Sequence, residues 1–252
     1  MPQGHIISSY HNNVTTIEFF HPAQNSLPSY LLAELVTHIH KAGNDENTII
    51  IVLKSAGDRS FCAGASFTEL AAIQDFDTGK KFFMGFANVI NAIRKCPKIV
   101  IGRVHGKAVG GGVGLAAACD YCMATKYASI RLSELAVGIG PFVIGPAVER
   151  KTGLSSFSQM AINATEWQTA EWGKQKGLFT ECFETVEQLD AYIEHFTSDL
   201  VNKNPAALAQ LKKVFWEGSQ HWDELLEQRA EMSGRLILSD FAKNAIADFL
   251  KS

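Results

Sequence analysis

The stretch IVIGRVHGKAVGGGVGLAAAC, residues 99–119, decides the fold class. Ile99–Val104 is a nearly continuous apolar run rich in β-branched residues, the pattern of a strand buried on both faces. Gly106–Gly112 is glycine-rich and reads as a loop, and Val113–Cys119 has the small residues of a helix packed tightly on a sheet. A two-sided strand feeding a helix through a short loop is a unit of a parallel α/β core. The same order occurs upstream: a buried strand at Ile49–Leu53, a loop at Asp58–Ser66 and a short helix at Thr68–Ile73.

Outward from these units, Ile6–Ser9 and Val14–Phe19 read as two strands joined by a His-Asn-Asn turn. Leu27–Lys41 has helical spacing, with Ser26 as its expected cap and Pro28 in the first turn. Lys80–Cys96 is an amphipathic helix ended by Pro97. Tyr121–Thr125, Ser129–Leu132 and Thr180–Phe183 are further strands. Helices are expected over Val143–Thr152, Ser156–Ala164, Glu166–Gln175, Val186–Asn202, Pro205–Glu217, Trp222–Leu238 and Asp240–Lys251.

The 252 residues are 46% hydrophobic and 19% charged, enough apolar material for a sizeable core, and the formal net charge is −3. The absence of like-charge runs speaks against nucleic-acid partners and a membrane-binding basic arm. No apolar run reaches the ~18 residues needed to span a bilayer, and no secretory leader is expected from MPQGHIISSYHNN. Five cysteines, an odd number, read as reduced thiols of a cytoplasmic protein.

Three segments carry candidate chemistry. Ser60–Leu70 follows a buried strand, and its small residues allow close backbone approach to a ligand; an ordinary strand-to-helix turn is the alternative. Gly110, Gly111 and Gly112 free the backbone at a second junction, for ligand approach or for helix packing alone. They fit neither a P-loop nor a dinucleotide fingerprint. Glu134 stands among apolar and small residues, where desolvation would raise its pKa towards neutrality; a surface glutamate or a helix cap is the plainer reading.

Taken in order, these segments resemble the crotonase superfamily, the enoyl-CoA hydratase/isomerase family. The matching motifs are Asn25-Ser26-Leu27, Phe61-Cys62-Ala63-Gly64-Ala65, Gly110-Gly111-Gly112, and Glu134 ahead of Gly138-Ile139-Gly140-Pro141. The resemblance implies a crotonase-like α/β spiral of ββα units over residues 1–195 and a C-terminal helical trimerisation section over 196–252. It implies an acyl-CoA thioester substrate whose oxygen sits between the backbone N–H groups of Ala65 and Gly111. Ala63, Ser66, Phe67, Thr68 and Gly110 would join these two residues in binding substrate and CoA. No metal and no cofactor beyond the CoA of the substrate is implied. Homotrimers or hexamers are, and Leu236, Ile237, Leu238 and Phe241 are candidates for the contacts.

Two-glutamate hydratases of the family carry their first glutamate where this chain has Gly114, and the aspartate common after Gly-Ala is Ser66 here. One carboxylate suffices to move a proton from C2 to C4, so Glu134 alone, followed by Pro141-Phe142, resembles the single-glutamate enoyl-CoA isomerases. Hydration, including of a branched or methylglutaconyl-type substrate, and decarboxylation are alternatives, as is a catalytically weak acyl-CoA-binding protein. Arg131 is expected to pair with an acid or meet a substrate carboxylate, His105 to make structural hydrogen bonds, and Cys119 and Cys122 to be buried thiols.

Overall fold

Two sheets account for the alternation of strand types. In the computed structural model, which describes residues 4–251, the large sheet has the order β1 (His5–His11), β2 (Val14–Phe20), β3 (Ile50–Ser55), β5 (Ile99–Val104), β7 (Tyr121–Thr125), β10 (Glu181–Phe183). Only the β1–β2 hairpin is antiparallel, and its turn places Asn12 and Asn13 at positive φ, 48° and 63°. Asparagine tolerates that region better than other side chains, so the expected turn forms there.

The small sheet has the order β4 (Ser60–Cys62), β6 (Lys107–Val109), β8 (Ser129–Arg131), β9 (Gln168–Thr169), parallel except for β8–β9. Each central strand of the large sheet hands over to a strand of the small one: β3 to β4, β5 to β6, β7 to β8. A helical segment follows each pair, which is the expected ββα spiral. Because β4, β6 and β8 are parallel neighbours, the segments leaving their C-terminal ends lie side by side. Those segments contain Ala63–Ala65, Gly110–Gly111 and Glu134.

Helices cover both faces of the large sheet, which is why its strands lack polar alternation. Ile17, Ile51 and Leu53 pack in the main core with α1 (Ser29–Asn44), α3 (Phe76–Lys95) and α4 (Gly111–Ala118). Ile50, Val52, Ile101 and Met123 face α7 (Val186–Leu200) and α8 (Pro205–Phe215). Asp120 ties α8 to the sheet: its buried carboxylate accepts from Val100 N at 2.8 Å, Lys212 Nζ at 2.6 Å and Trp216 Nε1 at 2.8 Å.

A third core joins α2 (Phe67–Ala71), the 3-10 turn Glu134–Val137, α9 (Trp222–Leu236) and α10 (Asp240–Lys251) through Leu70, Val137, Ile237 and Ala242. Helices α3 and α9 cross in near-contact, since a Cβ on Gly234 would stand 2.8 Å from Lys80 N. Lys80 reinforces the crossing through Glu227 at 2.6 Å and Glu231 at 2.9 Å. The remaining helices are α5 (Gly145–Ile162), kinked at Gly153 with φ 75°, and α6 (Ala170–Gln175).

Several expectations are corrected. Ser26 does not cap α1; its hydroxyl donates to Ala65 O at 2.9 Å, and the helix begins after Pro28. β4 and β6 lie in segments read as loop, because two or three paired residues leave no periodic pattern. Helix α3 starts a turn earlier than Lys80, where the Asp75 carboxylate accepts from Thr78 N at 2.8 Å. The helix expected from Glu166 begins at Ala170, since Gln168–Thr169 pair with β8. Ile237 is buried in the third core rather than exposed, whereas Leu236 and Phe241 are 41% and 67% exposed.

Candidate active site

A cavity of about 80 Å³ opens at the C-terminal ends of β4 and β6 and beside the segment that follows β8. Of the residues singled out in the sequence, Ala63, Ala65, Phe67, Gly110, Gly111 and Glu134 line it. Ser66 and Thr68 do not. Ser66 instead caps α2, its hydroxyl accepting from Glu69 N at 3.3 Å. Phe82, Phe83 and Phe86 of α3, Ser233 of α9, and Phe142 and Ile144 from the segment before α5 also stand in the wall. In the sequence the α3 phenylalanines carry only the signal of a helix's apolar face.

Glycines bring the loops together. Gly64 has φ +89°, and a Cβ there would meet Val109 O at 3.0 Å and Gly111 N at 3.7 Å. The first loop therefore lies directly against the second. Gly110, with φ +51°, makes room for the acid: a Cβ would stand 2.9 Å from Glu134 Oε1. The Gly111 backbone lies against Phe86, whose Cζ would be 2.3 Å from a Cβ. The loops' own hydrogen bonds use neighbouring amides: Ala63 N donates to Gln24 O, Gly64 N to Cys62 Sγ, and Gly110 N to Arg131 O.

Glu134 opens the 3-10 turn and its Oε2 is buried without a hydrogen-bond partner. Burial pushes its carboxyl up to about 7, against a smaller opposing effect of a hydrogen bond from its own backbone. A carboxyl so placed exchanges its proton near neutral pH. Gly114, where the family resemblance would place a second glutamate, has no room for a side chain: a Cβ there would stand 2.4 Å from Ile144 Cγ2 and 2.7 Å from its Cβ. Glu134 is the one carboxylate among the residues lining the cavity.

The side chains of the other singled-out residues lie outside the cavity wall. The Arg131 guanidinium stacks on Trp167, 4.5 Å from the ring centroid, rather than pairing with an acid. Both ring nitrogens of His105 are buried without partners, so the expected hydrogen bonds of its side chain do not form. Burial, aided by Arg103, lowers its pKa to about 4 and keeps the ring neutral. Cys119 and Cys122 are buried free thiols, Cys122 pushed up to about 12 by burial. Among the described residues no group of three or more His, Cys, Asp or Glu is placed to hold a metal, and no helix is long and apolar enough to cross a membrane.

Fold and loop arrangement together define the class as a crotonase-fold protein. Residues 9–251 match the family described as Enoyl-CoA hydratase/isomerase, and the chain belongs to that family. It is 27% identical over 254 residues to a short-chain-enoyl-CoA hydratase of Clostridium acetobutylicum, covering 100% of this chain and 96% of that protein. It is 24% identical over 239 residues to a peroxisomal Delta(3,5)-Delta(2,4)-dienoyl-CoA isomerase of Arabidopsis thaliana, covering 88% and 84%. In fold it is similar to an enoyl-CoA hydratase from Bacillus halodurans, with a TM-score of 0.89 at 21% identity over 96% of this chain and 99% of that one.

Proposed function

We propose that this member of the family is an enoyl-CoA isomerase with Glu134 as its single proton shuttle. The observation that carries this reading is the packing of Ile144 onto Gly114, which leaves one carboxylate in an otherwise largely apolar cavity. In this reading the thioester oxygen accepts hydrogen bonds from Ala65 N–H and Gly111 N–H. Glu134 removes a proton from C2 of a 3-enoyl-CoA, and the electron pair delocalises onto the thioester oxygen as an enolate. The same carboxyl then returns the proton at C4, leaving the double bond between C2 and C3. Main-chain donors preorganised in a dry site favour the enolate over the neutral ester; removing one costs on the order of 3–4 kcal/mol in related chemistry. In this reading the CoA moiety passes along Ser66, Phe67 and Thr68, as the family resemblance implies; of the three, Phe67 lines the cavity. Hydration is the second reading, favoured by the Clostridium relative's activity.

A panel of 2-enoyl-, 3-enoyl- and malonyl-type CoA thioesters, followed by product analysis, tests the assignment. Conversion of 3-enoyl to 2-enoyl thioesters should be the fastest reaction. Rapid hydration of 2-enoyl-CoA without detectable isomerisation would overturn it, and binding without turnover would point to a non-catalytic role.

The acid's environment adds an expectation for pH. Proton removal needs the carboxylate, so log kcat/KM should rise with pH and level off above an inflection near 7, where burial places Glu134. An inflection at the ordinary carboxylate value in free enzyme would show that the group reacts from a solvated position.

A further inference from the structure

The turn between β2 and α1 runs alongside the loop that carries Ala65. Gln24 and Asn25 both adopt left-handed φ, 57° and 58°, and Asn25 is only 3% exposed. Its Oδ1 accepts from His21 N at 2.8 Å, closing the turn. Its Nδ2 donates to Ala56 O and Ser60 O, each at 2.8 Å. Those carbonyls stand just beyond β3 and at the start of β4, the two ends of the connection that leads into residues 63–65. One buried amide thus holds the turn against the root of the loop.

Held there, the turn makes three contacts with the loop itself. Ala63 N donates to Gln24 O at 3.2 Å, Leu27 N to Gly64 O at 2.8 Å, and Ser26 Oγ to Ala65 O at 2.9 Å. Leu27 and Ala65 pair as a parallel bridge. The carbonyl of Gly64 and the N–H of Ala65 belong to one peptide group. A donor on that oxygen fixes the peptide plane and draws electron density from its nitrogen, making the N–H a stronger donor. Farther along, Glu69 Oε2 accepts from Ser29 N at 2.9 Å and Ser29 Oγ at 2.6 Å, tying α2 to the start of α1.

We propose that Asn25 is a positioning residue for the oxyanion site: through Ser26 and Leu27 it sets the direction and strength of the Ala65 N–H donor. This inference rests on the oxyanion reading given above. Asn25 acts through the loop, and its side chain lies outside the cavity wall.

Asn25→Asp is the test. It keeps the size and an acceptor for His21 N, but above neutral pH it sets a carboxylate oxygen against the carbonyls of Ala56 and Ser60. Isomerisation kinetics per folded site should show kcat reduced about 10- to 100-fold, a partial loss of a donor worth on the order of 10²–10³. KM should stay within a few-fold. In parallel, 2-butenoyl-CoA labelled with ¹³C at the thioester carbonyl is bound to Glu134→Gln, with and without Asn25→Asp, and its C=O stretch recorded. The bound carbonyl should be red-shifted in Glu134→Gln and less so in the double variant. Unchanged kcat per folded site with an unchanged stretch overturns the inference. Should Asn25→Asp not fold, Asn25→Gly keeps the left-handed φ of 58° while removing the amide, and a several-fold lower kcat with a reduced red shift is expected. Full retention of both in Asn25→Gly then overturns the proposal. If the bound carbonyl shows no red shift even with Asn25 intact, the oxyanion reading itself falls, and the role of Asn25 with it.

Discussion

Exchanging Glu134 for glutamine should lower turnover by on the order of 10²–10⁴-fold while acyl-CoA affinity stays within several-fold. The amide fills the same space beside Gly110 but cannot cycle a proton, and the cavity wall offers no second carboxylate. Stability should move the opposite way. The folded state holds the Glu134 proton up to about 7, whereas the unfolded chain releases it near the ordinary value of 4.5. Between these values the folded state binds more protons, so the wild type loses stability as pH rises through this window. The penalty is complete above about pH 7 and amounts to about 3 kcal/mol, at 1.36 kcal/mol per pKa unit. Glutamine carries no such penalty. Denaturant unfolding at pH 5 and pH 8 should show the variant gaining on the wild type at the higher pH. Near wild-type turnover by Glu134→Gln would remove Glu134 as the base, and a pH-independent stability difference would contradict its burial as a titrating acid.

Placing a second carboxylate at position 114 should require two substitutions. Gly114→Glu alone drives a side chain into Ile144, whose Cγ2 lies 2.4 Å from the new Cβ. Overpacking of that kind costs roughly 1–3 kcal/mol, and the added buried charge costs more. The single variant should therefore unfold at markedly lower denaturant and show little activity of any kind. Gly114→Glu combined with Ile144→Gly removes both atoms the new side chain would meet, Ile144 Cγ2 at 2.4 Å and Cβ at 2.7 Å, and opens space for the carboxylate. The double variant should recover stability and hydrate a 2-enoyl-CoA faster than the wild type. Its isomerisation should hold or fall, because a like charge would raise the Glu134 pKa further. Measuring both rates beside unfolding curves checks this. Equal hydration by wild type and a well-folded double variant would show that a second acid is not what limits water addition here.

Local pattern was enough to read the alternation of strands and helices around residues 99–119 and the helical character of the C-terminal section. Burial on both faces of a strand and amphipathic spacing on a helix leave direct marks on side-chain choice. Singly, the segments around Ala65, Gly111 and Glu134 read equally as an ordinary turn, a helix-packing junction and a surface glutamate; only their order along the chain, through its resemblance to the crotonase superfamily, singles them out as a candidate site. Pairings of two or three residues, such as β4, β6 and β9, leave no such mark. Ser26 looks like a cap in the sequence but bonds Ala65 O in the fold, because a hydroxyl before a helix has the same local appearance whichever partner it finds.

The sequence alone determined that Glu134 stands among apolar and small residues and that position 114 carries no acid. Tertiary structure alone decided what packs against Gly114. Ile144 lies thirty positions away along the chain, yet its side chain occupies the volume beside Gly114. Phe86 of α3 likewise becomes cavity wall by packing on Gly111, and Ser233 of α9 through the docking of α9 on α3. The Glu134 pKa follows the same rule. Desolvation depends on every group packed around the carboxyl, and the surroundings that raise it are assembled from elements distant in sequence.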